Sequence, residues 1–153
     1  MDIEQRRSLS DNCLNNEMKF HPCCRDNYWS ANIAEREPFE SEVLYTSVGT
    51  REILAIFKAG ESNTPRDRAF DIYLPKDIKS GIYPLNIPTR LIQIAFTENF
   101  PAYTTYWATE GVVDLQVSPD AQVFSGSFEI KFKDRQNREF ASDGKFAFSL
   151  DQR

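Results

Sequence analysis

Residues 127–133 alternate without a break: Phe128, Ile130 and Phe132 are apolar, and Ser127, Glu129, Lys131 and Lys133 are polar. Side chains that change face at every residue mark a pleated strand with one face buried and one in water. The same rhythm runs through Val113, Leu115 and Val117 until Pro119 and Asp120 close it, and through Trp29, Ala31 and Ile33. Residues 53–57, 70–74 and 91–96 are apolar at nearly every position, as expected of central strands covered on both faces. Residues 103–107 are rich in Thr and aromatics, which suit a pleated surface.

Turn chemistry completes the pattern. A first hairpin is expected over residues 28–48, and a C-terminal one turns at Asp134, Arg135, Gln136 and Asn137. The Asp143-Gly144 step inside that last hairpin predicts a bulge, since glycine supplies the positive φ such a kink requires. Five of the 6 glycines fall between or at the ends of the expected strands. No helix longer than two turns is expected after residue 27. These features predict an antiparallel β-sandwich of about eight to nine strands over residues 28–153. Residues 1–27 are polar without a sustained period and are expected as an N-terminal arm, partly helical or disordered.

Three blocks carry a likeness. The first is Trp29, Ala31 and Ile33 followed by Pro38, Phe39 and Glu40; the second is Ile72, Leu74, Pro75, Gly81, Tyr83 and Leu85. The third is Phe124, Ser125, Gly126, Phe128 and Ile130 with Asp143, Gly144 and Phe146. In these blocks residues 28–150 resemble a group of bacterial β-sandwich domains of unknown function, many of them lipoproteins. The resemblance implies a fold, with small residues for bends and aromatics for the core, and brings no catalytic set. The chain departs from the group's common form. Cys13, Cys23 and Cys24 follow no apolar segment, so no lipid anchor is expected, and Ala34, Glu35, Arg36 and Glu37 stand where a glycine-containing turn is usual.

Charge and motifs narrow the function. Eighteen Lys and Arg against 23 Asp and Glu leave a net charge of -5, which disfavours nucleic acid and favours a basic partner through long-range attraction. The densest basic stretch, residues 131–138, is interrupted by Asp134 and reads as a solvated strand face. No apolar run approaches the roughly 20 residues of a membrane helix. Residues 1–7 lack the apolar stretch of a secretory leader, which predicts a cytoplasmic address, and 3 crowded cysteines suit reduced thiols.

Cys13, His21, Cys23 and Cys24 are four soft ligands, but their spacing is not that of a structural zinc site. His21 is the 1 histidine of the chain, so any Ser-His-Asp mechanism must use it. No nucleophile elbow, phosphate loop or dinucleotide fingerprint occurs, and no cofactor is expected. Carboxylate pairs such as Asp67 with Asp71 or Glu110 with Asp114 leave open a carboxylate-dependent hydrolase. Asp134, Asn137 and Asp143 offer oxygens for calcium without the loop signature of a calcium site.

The run from Phe96 to Trp107 carries the most weight. Strand alternation sets Tyr103 and Trp107 on one face and Tyr106 on the other. Exposed aromatics contribute large contact area at small rotamer cost. The expectation is therefore a non-catalytic module that recognises a protein partner through an acidic surface and Phe100, Tyr103, Tyr106 and Trp107. The alternatives are carbohydrate or small-ligand binding at the same aromatic patch, and the hydrolase.

Overall fold

The computed structural model describes residues 19–22, 26–88 and 90–150. Its regular elements are all β: β1 (Lys19–Pro22), β2 (Tyr28–Ile33), β3 (Phe39–Glu40), β4 (Val43–Val48), β5 (Glu52–Ala59), β6 (Arg68–Pro75), β7 (Gly81–Pro84), β8 (Gln93–Asn99), β9 (Tyr103–Val117), β10 (Val123–Lys133) and β11 (Glu139–Ser149). They pair antiparallel in the order β1-β4-β5-β6-β8-β9-β10-β11-β2-β3, with β7 on β9. The antiparallel all-β class expected from the alternation is the one adopted. The strands form one hydrogen-bonded path curled into a half-barrel, where two separate sheets were expected.

The reason lies in β9. The sequence reads as two short strands, residues 103–107 and 113–117, but they are one strand of 15 residues. Its first part pairs with β8 and the remainder with β10, so the strand belongs to both wings of the sheet. Between them the register slips opposite Lys131 and Phe132, and Gly111 takes a φ of 122°. A side chain on Gly111 would stand 2.2 Å from the Glu129 carbonyl oxygen, so only glycine lets the strands approach so closely. Such a slip bends and twists a strand, and here it adds to the curl of the sheet.

A second corner mirrors the first. The Ser41 N–H donates to the Trp29 carbonyl at 3.0 Å, and the next N–H, of Glu42, donates to the Lys58 carbonyl at 2.8 Å. Within two residues the chain leaves β2 and joins β5. Strands that change sheets in this way form the corners of closed β architectures.

The two wings enclose one core, and Trp29 stands at its centre. Its ring stacks on Phe146 at 4.9 Å and on Phe70 at 5.0 Å, and meets Phe128 at 4.8 Å and Phe57 at 5.3 Å. Five strands therefore share one indole. The expectation for the central strands holds: Ile53, Ala55 and Phe57 enter this core, while Leu54 and Ile56 join Ala69 in a small outer cluster against Tyr45 and Tyr73.

Two expectations are corrected. Gly144 is not at a bulge: the β10–β11 register runs through Phe128 and Gly144 without a shift. A Cβ there would meet the Ser30 carbonyl oxygen at 2.0 Å, so the glycine answers a close approach of β2. The sheet also begins earlier than residue 28, because residues 19–22 form β1 against β4. Residues 1–18, where a helical contribution to the arm was expected, lie outside the described residues.

Candidate functional site

The alternation expected along β9 is met, and it divides the four aromatics. Trp107 faces outward, 45% exposed, and lies tilted against Tyr73 with ring centroids 5.7 Å apart. Tyr106 points inward to the core, against Phe96 and Phe140. Its hydroxyl donates to Glu98 at 2.9 Å, and burial, then that bond, pushes the phenol above its ordinary value. Tyr106 therefore belongs to the inside and does not join an exposed patch. Tyr103 is partly buried on the outer face, with its hydroxyl committed to Asp67. Phe100, between β8 and β9, is 69% exposed.

Phe100 borders an open groove of about 1240 Å³. Its other walls come from Phe20 on β1, Tyr45 on β4 and the loop of residues 60–66 between β5 and β6. Phe20 meets Tyr45 edge-on at 5.3 Å and is itself 57% exposed. The sequence reading missed Phe20, because a single aromatic in a polar stretch gives no periodic signal.

Two charge clusters reach the walls of this groove, through Lys58 and through Arg36 and Arg68. Lys58 and Asp67, 6% and 3% exposed, form an ion pair at 2.8 Å. The Lys58 ammonium also donates to the Ser62 hydroxyl at 2.8 Å, and Asp67 accepts from the Asn63 N–H at 3.1 Å and from the Tyr103 hydroxyl. Burial works to raise the Asp67 pKa, but the bonds from Lys58, Tyr103 and Asn63 outweigh it and hold the carboxyl below its ordinary value. In the second cluster Arg36 grips both oxygens of Glu98, at 2.8 and 2.9 Å, with its guanidinium 4.1 Å above the Phe140 ring centre. Arg68 donates to the carbonyls of Glu37 and Pro38 at 2.7 and 2.9 Å. These two arginines tie the β2–β3 turn to β6 and β8, so they clasp the two wings together.

A further group of carboxylates lies elsewhere. On the outer face of the second wing, Glu40, Asp114, Glu129 and Asp143 line a shallow groove of about 490 Å³ with Lys145. Glu129 and Asp143 stand directly opposite each other across β10 and β11. This carboxylate group is apart from the Phe100 groove, which has Glu37, Glu42 and Glu61 of its own.

The remaining candidates disperse. Asp67 is committed to Lys58, and Asp71 is buried at 3% exposure. Asp134 accepts the N–H groups of Gln136 and Arg138 at 2.8 and 2.9 Å, which is turn chemistry, whereas Asp143 sits in the middle of β11. Among the described residues no group of three His, Cys, Asp or Glu is placed to hold a metal ion. His21 lies on β1; Cys13, Cys23 and Cys24 fall outside the described residues. Among the described residues no helix is long and apolar enough to cross a membrane. Comparison with protein-family models, curated proteins and solved structures finds no match.

Proposed function

We propose that this chain is a non-catalytic binding module that recognises a protein partner, with Phe100 as its anchor. We also read the curled sheet as sandwich-like, in that its two wings face each other across one core. The observation that carries the functional reading is the gathering of Phe100, 69% exposed, with Phe20 and Tyr45 around one open groove whose remaining walls are largely charged. Exposed aromatics gathered around one groove mark an interaction surface, and a few large anchors carry most of the energy at such interfaces. The clusters of charge at the groove are bonded internally, so they stiffen the surface. The net charge of -5 acts at longer range and speeds encounter with a basic partner.

Photo-crosslinking tests the reading. Benzoylphenylalanine introduced at position 100 in cells is expected to yield an adduct with one basic protein, identified by mass spectrometry. The same probe at Val123, an exposed residue outside this groove, is the control. Equal labelling from both positions, or none from position 100, contradicts the proposal.

A second reading rests on the tilted Tyr73–Trp107 pair, a flat surface of the kind that stacks on a sugar ring. Trp29 is 0% exposed, so a shift in tryptophan emission during a glycan titration would report Trp107 and move the assignment there.

A further inference from the structure

One wall of the Phe100 groove, the loop of residues 60–66, buries none of its side chains. Polar bonds hold it. Gly60 turns the chain at a φ of 81°, and the Asn63 backbone is left-handed at 66°. The Asn63 N–H donates both to Asp67, at 3.1 Å, and to the Tyr103 hydroxyl oxygen, at 3.0 Å. The Tyr103 hydroxyl in turn donates to Asp67, whose other oxygen is bound by Lys58. Further out, the Asn99 amide donates to the Thr64 carbonyl at 2.9 Å, and the Glu42 carboxylate accepts the Gly60 N–H. The carboxylate of Asp67 joins the loop to both β5 and β9.

We infer that Asp67 is a positioning residue of the groove: through Asn63, Tyr103 and Lys58 it fixes the 60–66 loop as a preformed wall for the partner side chain that packs on Phe100. The functional meaning of this inference rests on the groove being the binding surface. Loops without buried apolar contacts open at small cost unless specific bonds close them. A wall ordered in advance spares the partner the entropy of ordering it at binding.

The test uses amide hydrogen exchange on the full chain, which needs no partner. Tyr103→Phe removes the hydroxyl and keeps the ring. The amides of Asn63, Thr64 and Asp67 are expected to exchange roughly tenfold faster, with those of Phe57 and Phe70 in the β5–β6 ladder unchanged. Affinity for the protein captured at position 100 is expected to fall in the same variant. Loop amides that keep their original rate overturn the inference, as does an equal acceleration of the ladder, because the hydroxyl would then support the fold at large. Loosened loop amides with unchanged affinity also overturn the positioning role and leave the partner assignment standing. Failure of the binding reading itself is recognised separately, by the absence of crosslinking at position 100 in the protein with Tyr103 intact.

Discussion

Trp29→Ala is expected to lower stability by about 4 kcal/mol, as for loss of a fully buried aromatic. In a domain of this size that corresponds to a fall in melting temperature of roughly 10 °C. The indole touches Phe57, Phe70, Phe128 and Phe146, which come from both wings, so its removal leaves a void that no single strand can close by shifting. Among the described residues its ring N–H has no hydrogen-bond partner. Trp29→Phe deletes this orphan donor and retains a ring, and is expected to keep most of the lost stability. Urea denaturation followed by circular dichroism measures both variants. A drop of less than about 1 kcal/mol for the alanine variant would mean that the wings do not depend on their shared centre.

Asp67→Asn is expected to cost about 3 kcal/mol at neutral pH, because it leaves the Lys58 ammonium buried beside an uncharged amide. The effect should depend on pH in a definite direction. The folded state holds the Asp67 carboxyl below its ordinary value, through Lys58, Tyr103 and Asn63 acting against burial. The carboxylate therefore contributes stability that is complete above the unfolded pKa of about 3.9 and is lost as pH falls through the lower folded value. Denaturation midpoints of both proteins, followed from neutral pH into acid, should converge below about pH 4. The subtraction removes the other acid-sensitive carboxylates, such as Asp120 and Asp134, which both proteins share. A gap between the two curves that stays constant down to acid would exclude Asp67 as the source.

What could be read from the residues alone follows a physical boundary. Alternation is local, so the inward set Phe128, Ile130 and Phe132 and the two-sided burial of β5, β6 and β8 were both legible. The opposite facing of Tyr106 and Trp107 was legible for the same reason. The neighbours of each strand were not. Residues 103–107 and 113–117 look like two strands, because the bend at Gly111 breaks the rhythm that would join them. The Gly144 contact depends on β2, more than 100 positions away in the chain, and nothing local distinguishes it from a bulge. Nothing local in the apolar run of residues 53–57 signals that Lys58, which follows it, is buried. Its burial depends on Asp67 and on Tyr103, brought over it only when β9 pairs with β8.

The candidate site shows the same limit more sharply. Phe100, Tyr103, Tyr106 and Trp107 stand as a run in the sequence, yet in the fold one lines a groove, one secures a loop, one packs against the core and one lies on the outer face. Phe20, which lines the same groove as Phe100, had no signal in the sequence.

If this chain grips another protein by one exposed ring, cutting that ring back must weaken the grip and spare the fold. Isothermal calorimetry of Phe100→Ser against the protein captured at position 100 is expected to give at least roughly thirtyfold weaker binding, about 2 kcal/mol, with the melting temperature unchanged. Binding as tight as that of the original chain would contradict the account.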